Sequence, residues 1–203
     1  MKIFFTTLIA VLLFGEGSIL EPAQKKNNLK DSISSFNTDT IKARLIGLNK
    51  KTPIDISYTP ELEDLIKKYL KNRKKFFNEN AKLINYYFSI FEKALQNNKA
   101  PLELKYLPII ESRLNPRAIS KAGATGLWQF MYAAAKENGL ELNSYIDERM
   151  DPAKSSEAAA KYLLKLKEIY NDWTLAVAAY NAGPRTISKA IIRSGGYKNF
   201  WNI

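Results

Sequence analysis

Neither cysteine nor histidine occurs among the 203 residues. Without histidine there is no Ser-His-Asp triad, no imidazole base and no imidazole metal ligand. Without cysteine there is no thiolate nucleophile, iron–sulfur cluster, zinc–thiolate site or disulfide. Acid–base chemistry is left to carboxylates, lysines and tyrosines. Acidic residues are the scarcer charge, 20 Asp plus Glu against 31 Lys plus Arg, for a formal net charge of +11. Alternating β patterns of useful length and internal repeats are also missing. What is present is a hydrophobic fraction of 46% with 12% aromatics, which supports a buried core and excludes global disorder. The length suits one domain with an extension.

Lys2 is followed by the apolar run Ile3 to Phe14 and then by Gly15-Glu16-Gly17-Ser18. A short basic start, an apolar segment too brief for a comfortable membrane span and a small-residue stretch predict a signal peptide over residues 1–18. Glu16 in the cleavage region and the return of apolar residues at Ile19-Leu20 keep an uncleaved anchor as the alternative. A lipoprotein is excluded, since there is no cysteine to acylate. Residues 19–40 are rich in Lys, Asn, Ser and Asp and read as a linker.

The class predicted is all-α. Ile41 to Leu48 and Pro53 to Tyr58 read as a turn and a short extended piece introducing the helices. Pro60 opens a pattern in which Leu62, Leu65, Ile66, Tyr69 and Leu70 recur at three and four, with Lys67 to Lys75 forming a basic, solvated face. A second helix is expected from about Asn78 to Gln96, completing an N-terminal helical extension over residues 41–98. Further helices are expected over Leu102 to Leu114 with a kink or restart at Pro108, Gln129 to Gly139, Ser155 to Tyr170, Trp173 to Asn181 and Pro184 to Arg193.

Any acid–base chemistry must come from the carboxylates. Asp31, Glu61, Glu63, Asp64, Asp151, Glu157 and Asp172 all fall where caps, helix N-termini or solvated faces explain them. Glu111 does not. Leu107, Glu111 and Leu114 are spaced four and three apart, which puts the carboxyl on an apolar face in helical geometry. A carboxyl in an apolar pocket has its pKa raised and stays protonated near neutral pH, the condition for a general acid. The alternative is an ordinary ion pair with Arg113 or Arg117. Asn115-Pro116 and a loop holding Gly123 and Gly126 follow directly.

These residues resemble a known family. Leu107-Pro-Ile-Ile-Glu111-Ser-Arg-Leu-Asn-Pro116, then Ala118 to Met131 with Gly123, Gly126 and Gln129, then Ala178-Ala-Tyr180-Asn181-Ala-Gly183 are similar to the catalytic domain of soluble lytic transglycosylases, relatives of goose-type lysozyme. Asp147-Glu-Arg149-Met-Asp151-Pro resembles the subgroup typified by membrane-bound lytic murein transglycosylase D. The resemblance covers about Ile41 to Trp201, and three motifs in the right order are far more specific than one. It implies a lysozyme-like helical domain over residues 99–203 preceded by the N-terminal helices. Members of the family usually continue with a Glu-Thr pair and a Tyr-Val-Pro segment, whereas this sequence reads Phe200-Trp-Asn-Ile203 at that point. That leaves two expectations, a truncated catalytic domain or one without that wall of its cleft.

The activity the resemblance implies is cleavage of the β-1,4 bond between N-acetylmuramic acid and N-acetylglucosamine in peptidoglycan, with formation of 1,6-anhydromuramoyl ends. Glu111 would be its single acid and base. Ser112, Gln129, Met131, Tyr180 and Asn181 would contact substrate, while Trp128 is expected in the core and Asp147-Glu148-Arg149 in a structural turn. No cofactor or metal is implied. The partner expected is the glycan strand, not nucleic acid, and the location an exported one, periplasm or cell envelope, for a monomer in peripheral association with the envelope. The basic surface would speed encounter with an anionic wall. Two alternatives use the same residues: a lysozyme-type muramidase in which Glu111 directs a water, and a non-catalytic peptidoglycan-binding protein.

Overall fold

The computed structural model describes residues 37–50, 52–54 and 56–203. The leader expected at 1–18 and most of the linker expected at 19–40 lie outside the described residues. Eight α-helices and three short 3-10 helices make up the described chain, which is all-α as expected. Among the described residues the only β pairing is three isolated bridges, and no helix is long and apolar enough to cross a membrane. The chain divides into two compact units with the boundary between Lys82 and Leu83.

In the first unit, α1 spans Thr38–Asn49. This differs from the turn expected around Ile41 to Leu48, and the reason is local. Asn37 is an N-cap whose side chain accepts from the Thr40 amide at 2.9 Å, and Ile41, Leu45 and Leu48 follow at helical spacing, all buried. Helix α2, Pro60–Glu79, begins where Thr59 caps the Leu62 amide and Pro60 supplies a pre-set φ. Its basic run opens with two i,i+4 pairs, Lys67–Glu63 and Lys68–Asp64, both at 2.6 Å.

Glu63 is the polar centre of this unit. Its carboxylate is held at a pKa of about 2, first by the Lys67 ammonium, then by the Tyr58 hydroxyl at 2.7 Å, with the Thr38 hydroxyl at 3.0 Å adding to them. A carboxyl whose folded pKa lies below its unfolded value of 4.5 contributes stability above that value and loses it as pH falls towards 2. The Glu63→Gln variant is therefore expected to lose stability relative to the parent at pH 5 and above, with thermal midpoints that converge as pH falls to about 2. A gap that stayed constant down to pH 2 would assign the effect to packing instead of charge.

The second unit holds the larger core. Helix α3, Ala81–Asn97, leads through the 3-10 turn Leu102–Tyr106 into α4, Leu107–Ser112. Of the kink or restart expected at Pro108, the restart forms: the 3-10 turn passes to a six-residue α-helix with Pro108 in its first turn, which Arg113 and Leu114 end in the left-handed region at φ 54° and 61°. A short helix, α5, spans Tyr132–Glu137, and the expected start at Gln129 fails because Gln129 sits at φ 50°. The 3-10 turn Glu148–Met150 precedes α6, Pro152–Tyr170, which Asp151 caps through the Ala153 and Lys154 amides. Helix α7, Trp173–Ala182, is capped by Asp172 and buried along Trp173–Ala179. Gly183 at φ 86° ends it, and Pro184 opens α8, Pro184–Arg193.

Helix α7 is apolar on every side because α6 and α8 both pack on it. Trp128 is fully buried, its ring edge-on to Phe91 at 5.3 Å and its indole N–H donating to Ser156 Oγ at 2.9 Å. It is a core residue, and it anchors the loop before α5 to α3 and α6.

Candidate active site

Three sequence-distant pieces of the second unit carry the expected site residues, and Tyr180 among them is coupled electrostatically to Glu111. Helix α4 carries Glu111, the loop 123–131 carries Gln129 and Met131, and the end of α7 carries Tyr180 and Asn181. The loop is tight by construction. Thr125 and Phe130 exchange both backbone hydrogen bonds, at 3.0 and 3.1 Å, and the Gly126 amide donates to Ala118 O at 2.9 Å.

Glu111 lies half-buried beside buried Leu107 and Ile109. Among the described residues neither a hydrogen bond nor an ion pair engages its carboxyl, so the pairing with Arg113 or Arg117 considered from sequence is not made. Burial raises its pKa to about 7. A carboxyl that titrates near neutrality both gives and takes a proton with little driving-force penalty.

Tyr180 is the titratable neighbour. Its hydroxyl donates to the Trp128 carbonyl at 2.7 Å, and its pKa is pushed well above the ordinary value, first by burial and then by the Glu111 charge. Its ring packs against Tyr162 at 5.6 Å and Phe130 at 6.2 Å, so α6, α7 and the loop meet there in one aromatic cluster.

The other expected residues are placed as follows. Ser112 is buried, and its hydroxyl donates to Pro108 O at 3.0 Å, which leaves it only acceptor capacity. Gln129 is half-buried, and its amide nitrogen donates to Ala118 O at 3.2 Å and Gly126 O at 3.0 Å. Both its N–H groups are engaged in holding the loop, and Oε1 remains to accept. Met131 and Asn181 are exposed.

Neither Asp147 nor Glu148 is a spare carboxylate. Arg149 grips Asp147 through Nη2 at 2.7 Å and Nε at 2.9 Å and lowers its pKa. Glu148 accepts from the Glu141 amide at 2.8 Å and pairs with Lys154, and its pKa is lowered too. Among the described residues no group of three or more acidic side chains converges as a metal ion would require.

A half-buried glutamate that no described residue hydrogen-bonds or ion-pairs, on an all-α domain, is a group chemically able to give and take a proton near neutral pH. Comparison with known proteins names the class. The family model described as "Transglycosylase SLT domain" matches residues 88–202, more than half of the chain. Membrane-bound lytic murein transglycosylase D of Escherichia coli strain K12 is 34% identical over 140 residues, covering 67% of this chain and 31% of that protein. The putative tributyltin chloride resistance protein of Alteromonas sp. strain M-1 is 36% identical over 98 residues, 48% of this chain and 47% of that protein. Peptidoglycan transglycosylase gp16 of Escherichia phage T7 is 37% identical over 100 residues, 48% of this chain and 8% of that protein. The chain belongs to the transglycosylase SLT domain family. Its match spans just under a third of the length of the Escherichia coli relative.

Proposed function

We propose that the protein is a peptidoglycan lytic transglycosylase and that Glu111 is its only proton-transfer residue. The observation that carries the reading is a half-buried carboxyl with no partner among the described residues and a pKa of about 7. In this reading the protonated Glu111 gives its proton to the glycosidic oxygen between N-acetylmuramic acid and N-acetylglucosamine as the anomeric carbon–oxygen bond breaks. The resulting carboxylate then takes the proton of the muramoyl C6 hydroxyl while that oxygen bonds to the anomeric carbon. The proton count closes, Glu111 is regenerated, and water is not consumed.

A two-carboxylate hydrolase needs a partner about 5 Å away for retention or roughly 6.5 to 9.5 Å away for inversion. The engagement of Asp147 by Arg149 and of Glu148 by Lys154 removes the two carboxylates the sequence raised for that task. That burial is the cause of the raised Glu111 pKa supports the single-carboxyl reading further. Gln129 Oε1, Ser112 Oγ, Met131 and Asn181 are proposed to line the glycan path, the first two as acceptors from sugar O–H or N–H groups. Export to the periplasm or cell envelope, a monomeric state and attraction to an anionic wall complete the proposal, supported by the apolar stretch after Lys2 and by the charge of +11.

Mass spectrometry of the fragments released from purified peptidoglycan tests it. Anhydromuramoyl ends, each lighter by one water than a hydrolysis product, are expected. Reducing muramic acid ends would identify a muramidase instead, and binding without release a non-catalytic wall protein.

A further inference from the structure

The sequence pattern assigns Arg149 no role beyond a turn, yet all three of its guanidinium nitrogens are engaged. Nη1 donates to Gly123 O at 3.1 Å and to Phe130 O at 3.3 Å, the two ends of the loop that carries Gln129. Nε and Nη2 meanwhile form a fork on the Asp147 carboxylate, and the Arg149 amide donates to the same carboxylate at 3.1 Å. The arginine side chain is 12% exposed and its partner 28%, so water competes little for the arginine. The Arg149 carbonyl lies directly against Gly126, which brings main chain as well as side chain onto the loop.

The same loop reaches the acid. Its Trp128 carbonyl accepts the Tyr180 hydroxyl, its Phe130 ring packs on Tyr180, and Tyr180 lies close enough to feel the Glu111 charge. We infer that Arg149, locked by Asp147, is a positioning residue that clips both ends of the 123–130 loop and so fixes Tyr180 beside Glu111. Two parallel donors towards Asp147 and a third nitrogen shared by two carbonyls require a planar fork, and a lysine ammonium cannot reproduce that geometry. The inference rests on the reading of Glu111 as the reacting acid.

The test uses the full chain with Arg149→Lys and, as a second variant, Asp147→Asn, which leaves the loop contacts of Arg149 in place but frees its fork. Loosening the loop lets water reach Glu111 and returns its pKa towards that of an exposed carboxyl. The expected results for both variants are a fall in kcat of about tenfold or more with a smaller change in KM, and an alkaline limb of the pH–rate profile displaced by about one unit to acid. Carbon-13 NMR titration of the Glu111 carboxyl reads the same displacement without substrate. A parent enzyme that makes no anhydro ends therefore defeats the functional reading alone, while the titration still judges the inference. An unmoved Glu111 titration in folded variants overturns the inference, even if their thermal midpoints drop. So does loss of fold in both variants, which would make the pair a folding element only.

Discussion

Replacing Glu111 by Gln is expected to reduce the release of anhydromuramoyl fragments by at least about a thousandfold, since one positioned acid–base group contributes roughly 10²- to 10⁴-fold and here it serves both proton transfers. Glutamine keeps the shape and has no proton to give. The parent's own activity is expected to fall as pH rises through about 7, where Glu111 loses its proton. The substitution acts on stability in the opposite direction to its effect on activity. The carboxyl titrates near 4.5 when unfolded and near 7 when folded, so between those values the folded state binds more protons and stability falls as pH rises. The loss amounts to about 3 kcal/mol once pH exceeds 7, from 1.36 kcal/mol per unit. Glu111→Gln removes that loss, so the inactive variant is expected to resist denaturant better than the parent at pH 8 and about equally at pH 4. Equal denaturation midpoints at pH 8 would show that Glu111 is not in a desolvated site, and retained cleavage would remove it from the mechanism.

The second large effect is expected at Gly126. It sits at φ 85°, and a Cβ built there would lie 1.8 Å from the Arg149 carbonyl oxygen and 2.7 Å from its carbon. Both atoms are main chain, so no side chain can swing aside. The 3-10 turn Glu148–Met150 is fixed in turn by the Asp147 fork and by Asp151, which caps α6. Gly126→Ala must therefore displace the loop, with an expected cost of roughly 3 kcal/mol or more from steric conflict and the left-handed backbone together. Chemical denaturation at pH 6 measures it. Gly123→Ala is the control, because nothing lies within 4 Å of its Cβ position and only its φ of 84° is unfavourable. Equal losses in the two variants would reduce the effect to backbone conformation.

Local chemistry was readable from sequence wherever it is local in fact. Asp172 and Gly183 bracket α7, and Asp151-Pro152 starts α6, because caps and proline act on neighbours one to three residues away. Glu111 was legible through its spacing from Leu107, which is real helical geometry. Leu114 is buried as well, but the helix ends at Ser112, so its place on the apolar side comes from a left-handed turn and not from helical periodicity. Helix α1 was missed because Thr38 to Leu48 is a weak amphipathic pattern whose start depends on one asparagine cap. The contacts of Arg149 with the 123–130 loop were missed for another reason. Arg149 and Gly123 are 26 residues apart, and no periodicity encodes a contact across that distance. The one hint available was a glycine at residue 126, which admits a close backbone approach without naming what approaches.

The helix that carries Glu111 is six residues long, and so is α5 across the loop. Isolated helices shorter than about 12 residues are marginal in water. Neither piece is expected to hold its shape by itself: α4 packs on the 3-10 turn Leu102–Tyr106, and the loop before α5 is pinned into the core by Trp128 and by the Phe130, Tyr162 and Tyr180 rings. The raised proton affinity of Glu111 is thus a collective property that vanishes with the packing that desolvates it. On heating, the Glu111 carboxyl is expected to revert to an ordinary glutamate in the same cooperative step in which the second unit melts.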